Sequence, residues 1–294
     1  MLTDILYNTH GVRLPRLLKH KCNEARKMNV KPGEEGINKK IFLTIIACHS
    51  IDTTKVKVVV NTIKKLEFPG NKIVIVSSEN ARHNNQMIEI VSKMYPHVEI
   101  YSIHNDSKSD IGKWMYYIKN EYVPNYDHVV FTNDSIYYNE PIYHFYRYMV
   151  NTNVELYGYN DSSQEDDYHY QSFLFGVQKS GIQKLVDHYN KVEPLLTGYN
   201  ELINNFEKKL TKIFERKDCF LPIAYIQGHR GKNVYFNNDS LYSSLKRAGV
   251  MSIVKTKRIN GGPIYHPLIP SSSQRVGGLV SAFHNYGADL PKYL

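Results

Sequence analysis

From residue 40 onward the chain alternates between two hydrophobic periods. KIFLTIIACHS (40–50) is a short apolar run rich in β-branched residues, the signature of a strand buried on both faces. Val56, Val59, Val60 and Ile63 then recur at i, i+3, i+4 and i+7, which predicts one stripe of a helix ended by Pro69-Gly70. NKIVIVSS (71–78) repeats the strand pattern, and Met87, Ile90, Val91 and Met94 repeat the helical one, with Pro96 close behind. VEIYSI (98–103) predicts a third strand, Ile111, Trp114, Met115 and Ile118 a third helical stripe, and HVVFT (128–132) a fourth strand. Strands separated by single helices predict βαβ units and a mainly parallel sheet, because parallel neighbours need crossovers and crossovers are usually helical.

Beyond residue 140 the pattern loosens. VELYGY (154–159) and SFLFGV (172–177) read as strands, Ile182, Leu185, Val186 and Tyr189 as one helical stripe, and Leu202, Phe206, Leu210 and Ile213 as another. Strands that follow one another predict a mixed or antiparallel extension of the sheet. Residues 1–38 carry many charges and end in KPGEEG, which reads as a peripheral arm and linker; 39–294 reads as one domain with halves at 39–140 and 141–294. The tail, from GGPIYHPLIPSSSQRVGG to SAFHNYG, reads as a loop that closes over a site. The fold class expected is α/β, a mainly parallel central sheet flanked by helices with a mixed C-terminal extension.

Composition narrows the class. With 42% hydrophobic and 22% charged residues in 294, disorder and fibre are excluded. There is no apolar run long enough to span a bilayer, and MLTDILYNTHGVRLPRLLKHK lacks a signal-peptide core, so a cytoplasmic location is expected. Cys22, Cys48 and Cys219 are far apart in sequence and form neither a disulfide framework nor a CxxC-type metal site. A net charge of +9 favours phosphate-bearing ligands, but part of it reflects a general excess of Lys, Asn, Ile and Tyr.

In an open parallel sheet, ligands bind outside the carboxyl ends of the strands. The residues expected there are strongly polar: His49, Ser50 and Asp52 after the first strand, Ser77 to Asn80 with Glu79 after the second, His104 to Asp106 after the third, and Asn133, Asp134 and Ser135 after the fourth. Asn-Asp-Ser occurs four times, at 105–107, 133–135, 160–162 and 238–240. The last precedes Leu241, Leu245 and Ala248 and reads as a helix cap. The copy at 133–135 has no helix to cap and places the Asp134 carboxylate at the rim of the sheet. Mg²⁺ or Mn²⁺ takes one or two carboxylates plus the oxygens of a diphosphate, so Asp134 is the candidate metal ligand.

SDIGKWMYYIKNEY (109–122) supplies a second element. Ser109 or Asp110 is expected to cap the helix, Gly112 permits close approach of a ligand, and Lys113 stands in the first turn, against the helix dipole, where an anionic ligand would explain it. The third element, YGYNDSSQEDDYHYQSFLFGVQ (157–178), holds Asp161, Glu165, Asp166, Asp167 and His169 ahead of a buried strand, as candidates for a general base.

DIGKW, YDHVVFTNDSIYYNEPI, YGYNDSSQEDDYHYQSFLFGV and SLYSSLKRAGVMSIVK, in that order, resemble the glycosyltransferases related to rhamnan-synthesis protein F, with a GT-A-type nucleotide-binding fold. The resemblance covers roughly residues 40–256. It implies Asp110 and Lys113 near a nucleotide-diphosphate sugar donor, Asn133 and Asp134 at the diphosphate or a divalent metal, and Asp161, His169 and Gln171 near the acceptor. It makes 39–140 the nucleotide-binding half and 141–294 the acceptor half, and it prefers inverting transfer to a glycan or glycoconjugate hydroxyl. For a closing histidine, His284 is the candidate and His266 the reserve. Two other classes compete. One is a non-enzymatic nucleic-acid-binding protein, against which the basic residues are dispersed and no RNP, KH or zinc-finger pattern occurs. The other is a degenerate transferase that binds sugar nucleotides without turnover.

Overall fold

The computed structural model describes residues 40–104, 108–122, 124–163, 167–224 and 252–256, and the backbone of a two-residue antiparallel strand pair, Ile5–Leu6 with Leu14–Pro15. The first strand of the main sheet, β1 (Phe42–Cys48), is buried along its whole length. Phe42, Ile46 and Cys48 enter one core, while Leu43, Ile45 and Ala47 enter the other. Such two-sided burial is why the strand reads as a continuous apolar run rather than an alternating one. Asp52 caps α1 (Thr53–Leu66) by accepting the Lys55 N–H at 2.8 Å. Then come β2 (Asn71–Ser78), α2 (Asn84–Met94), β3 (Glu99–Ile103), α3 (Ser109–Asn120) and β4 (His128–Asn133). The chain continues through β5 (Ile136–Tyr138), α4 (Tyr143–Asn151), β6 (Leu156–Ser162), β7 (His169–Tyr170), β8 (Leu174–Gln178) and α5 (Ile182–Val192). A helical stretch follows: Tyr199–Leu202, a π-helical turn over Ile203–Glu207, then Lys208–Leu210. The last described strands are β9 (Lys217–Leu221) and β10 (Ile253–Lys255).

The main sheet runs β3-β2-β1-β4-β8-β6-β9, with β7 added on β6. Strands β3, β2, β1 and β4 are parallel; β8 is antiparallel to both β4 and β6, and β9 is parallel to β6. The expected mainly parallel sheet with a mixed extension is therefore present, with helices on both faces. One core gathers α1, α2 and α4, the other α3 and α5. Five elements escape the periodicity reading, among them β7 and β9, which both pair with β6. Helix α4 (YHFYRYMVN) is buried almost throughout and so shows no polar stripe. The short β5 and β10 pair with each other and form no part of the main sheet.

Trp114, expected in the core, is buried, edge-on to Phe131 and Phe175, and its indole N–H donates to the Thr132 carbonyl at 3.0 Å. Cys48 and Cys219 are buried free thiols. Among the described residues no helix is long and apolar enough to cross a membrane.

Candidate active site at the switch point of the sheet

After β3 the chain returns across β1 to place β4 on its other side, so the strand order reverses between β1 and β4. At such a switch point a crevice opens outside the carboxyl ends of the two strands. The register brings further strand ends to the same rim. Leu174 of β8 pairs with Thr132 of β4, and Phe175 with Gly158 of β6, so residues 160–162 and 171–173 stand level with the turn that follows β4.

Asp134 is the centre of this rim. It is 6% exposed. Its N–H donates to the Ala47 carbonyl at 3.2 Å, which ties the turn to the end of β1. One carboxylate oxygen accepts the His49 N–H at 2.7 Å, and the other accepts the Lys55 ammonium at 2.9 Å. The same ammonium donates to the Asp134 carbonyl at 2.7 Å. The Asn133 amide donates to Asp110 at 2.7 Å, and its oxygen accepts the Ser135 N–H at 3.1 Å and hydroxyl at 2.6 Å. This Asx-type closure holds the turn, which leads into β5 and has no helix to cap.

Lys113 is 1% exposed and donates to the Ser109 carbonyl at 3.3 Å, one turn back on α3. Helix α3 is not capped by Ser109 or Asp110, as the sequence suggested. Lys108 holds the cap position with no side-chain bond, Ser109 adopts φ 50, a left-handed conformation that is uncommon for a residue with a Cβ, and Asp110 is spent on Asn133. Burial, reinforced by the Asp134 charge, raises the Asp110 carboxyl above its usual range, against the pull of Lys113 and Asn133. Burial, then the Lys113 charge, lowers the His49 imidazole, with Asp134 opposing. Burial also pushes the Cys48 thiol up, which leaves it a packing group. The rim is thus a region of fixed charges in a low dielectric. A groove of about 290 Å³ adjoins it at the start of α3, lined by His104, Lys108, Gly112 and Lys113 among others.

A second polar cluster occupies the other side of the rim. Asp161 is 1% exposed, and its carboxylate accepts the Ala224 N–H at 2.7 Å. Burial pushes its carboxyl up to about 6, against that hydrogen bond and one from Tyr168. His169 Nδ1 lies 2.8 Å from the Asp167 carbonyl and Nε2 3.2 Å from the Gln171 amide nitrogen. That pairing suits a tautomer with the proton on Nδ1 and the lone pair on Nε2. Glu207, at the end of the π-helical turn, stands 3.7 Å from His169 Nε2 and accepts the Ser172 hydroxyl at 2.7 Å.

The other candidates are dispersed. The Asp167 carboxylate pairs with Lys212 at 2.9 Å, which holds it below the usual range. Glu79 is exposed at the end of β2, 3.5 Å from the His104 ring. Ser50 is buried, and its carbonyl accepts the His83 N–H at 2.9 Å. Glu165, Asp166, His266, His284 and the Asn-Asp-Ser copies at 105–107 and 238–240 lie outside the described residues.

Three side chains were missed by sequence reasoning. Lys55 stands in the first turn of α1 behind its Asp52 cap, so the argument applied to Lys113, a cation set against the helix dipole, would have found it. Glu207 gives no local signal, because its relation to His169 spans 38 positions and exists only after the helix packs. Lys255 arrives with β10, its ammonium 3.4 Å from the Ser135 hydroxyl and 3.9 Å from the centre of the Phe173 ring.

For a divalent metal the described residues are a poor fit. Asp134, the expected ligand, has one oxygen on a backbone N–H and the other on an ammonium, and a second cation beside Lys55 would be repelled. Among the described residues no three His, Cys, Asp or Glu side chains converge on a metal-sized site.

No family model and no curated protein matches the chain, so the resemblance to the rhamnan-synthesis protein F group gains no support there. Among solved structures it is similar to the WbbM bifunctional glycosyltransferase, at 12% identity and TM-score 0.49 over 90% of this chain and 52% of that one. It is also similar to the glycosyltransferase GlyE of Streptococcus pneumoniae, at 10% and 0.45 over 84% and 60%. A third is TarS of S. aureus, in complex with UDP, at 10% and 0.44 over 61% and 57%. The chain thus spans between about half and three fifths of those structures. What it can do chemically is carried by its own side chains.

Proposed function

We propose that this chain is a GT-A-type glycosyltransferase that moves a sugar from a nucleoside-diphosphate donor to a hydroxyl of a glycan or glycoconjugate, with inversion. The observation that carries this reading is the half-buried cluster Lys55–Asp134–Asn133–Asp110, with Lys113 beside it, at the β1/β4 switch point. Fixed cations at the carboxyl ends of parallel strands suit a diphosphate, whose departure is the step that develops negative charge. The acceptor hydroxyl attacks the anomeric carbon as the carbon–oxygen bond to the diphosphate breaks, and its proton goes to His169 Nε2, whose lone pair the Gln171 amide gives up. Glu207 then holds the imidazolium, and the nucleoside diphosphate leaves with the electron pair.

The test is turnover with a panel of UDP-, GDP- and dTDP-sugars. Asp134→Asn keeps an acceptor for the His49 N–H and so preserves the fold, and it is expected to lower turnover by about 10²-fold or more. His169→Gln is expected to remove acceptor-dependent transfer. A wild-type chain that neither binds nor cleaves any donor, or an Asp134→Asn variant with undiminished turnover, overturns the reading.

A further inference from the structure

Resting on the donor-binding reading above, we infer that this site binds its diphosphate on fixed ammonium groups, Lys55 first among them, in place of a divalent cation. Three observations lead there. The Lys55 ammonium already occupies the carboxylate of the one acid positioned to ligate a metal, at 2.9 Å, and spends a second donor on the carbonyl of the same residue at 2.7 Å. A lysine ammonium has three donors, and among the described residues two are used, which leaves one for a ligand. The Lys55 side chain is 20% exposed against 7% for Asp134, so of the two partners the lysine is the more accessible to a ligand.

The surroundings repeat this sign. Lys255 reaches the Ser135 hydroxyl from β10, and Lys113, in the first turns of α3, lies close enough to Asp110 and His49 to act on their charges. Beside these three cations stand Asp134 and Asp110, and a diphosphate is the anion that the ammonium groups suit. Asp134, on this account, is the counter-charge that fixes Lys55 in place and not a metal ligand.

The experiment is calorimetric titration of the full chain with UDP, GDP and dTDP, in excess EDTA and separately in excess MnCl₂. At least one nucleotide is expected to bind with the same affinity in both. Lys55→Gln is expected to weaken that binding by about tenfold or more and Lys55→Arg to retain most of it. Where the single Gln variant does not fold, Lys55→Gln with Asp134→Asn is read against Asp134→Asn alone, since the double change leaves no buried charge unpaired. Binding that vanishes in EDTA and returns with Mn²⁺, or an undiminished affinity in the Gln variants, overturns the inference and leaves the donor reading standing. Absence of binding in both media removes the donor reading itself.

Discussion

Asp161 is a carboxyl kept where water does not reach, and its cost can be measured apart from any role in transfer. Its pKa is raised by burial to about 6, so the folded state favours the protonated form. For a carboxyl shifted upward, the contribution to stability is most favourable below the unfolded value near 4 and worsens as pH rises through 6. Asp161→Asn keeps an oxygen for the Ala224 N–H and removes the charge. The variant is expected to gain about 2 kcal/mol at pH 7 and little at pH 4, read from urea denaturation at the two values. A gain equal at both pH values would show that burial of charge is not what strains this position. The same residue illustrates how far single positions were legible. That acids lie between 161 and 167 is plain in the sequence, but which of them is buried is not. Asp167, six positions on, is pulled down by Lys212 at the surface while Asp161 is pushed up by burial. The difference depends on which face of β6 and which helix each meets.

At the scale of elements, the His169 side of the rim depends on how closely β7 lies on β6. Asp161 pairs with Tyr170 and Ser162 with His169. The Tyr170 ring fits over Gly158: a Cβ there would fall 2.6 Å from the ring. Aromatic carbons at the base of a side chain cannot move aside cheaply. Gly158→Ala is expected to cost about 1–3 kcal/mol and to disturb the 169–171 segment, lowering acceptor-dependent transfer more than nucleotide binding. Thermal unfolding and the two binding steps measured separately check this; equal loss in both steps would mean that the strand pair does not position His169. Three strands of the parallel half, β1, β2 and β4, were readable because each is an apolar run that lies between two helical layers; β3, at the edge, is only half-buried. Helix α4 was not readable, since a segment buried on nearly every side loses the polar stripe that marks a helix. β9 and β10 were not either, because β9 is docked on the edge of the sheet and β10 on β5, by partners remote in sequence.

Across the whole molecule, two buried histidines contribute to the response to acid. Burial lowers His144 to about 3 and His128 to about 4. A histidine with a lowered folded pKa contributes stability above its unfolded value near 6.5 and loses it as pH falls toward the folded value. Each therefore withdraws about 3 kcal/mol between pH 7 and pH 4, because the unfolded chain takes up protons that the core refuses. His144 lies against Phe220 and Tyr159, and neither ring nitrogen has a hydrogen-bond partner among the described residues. His144→Phe is expected to raise stability at neutral pH and to flatten the decline on acidification, seen in melting temperature between pH 7 and 4.5; an unchanged slope would assign the acid response elsewhere. The sequence alone determined the order of strands and helices in the parallel half, the two-sided burial of β1 and β4 and the gathering of polar residues at strand ends. Those follow from local period and from the rule that crossovers run one way. Only the tertiary structure decided that Asp134 is held by Lys55, that Glu207 faces His169 and that Lys255 returns to the Ser135 turn. Each joins residues tens of positions apart, through packing that no local pattern encodes.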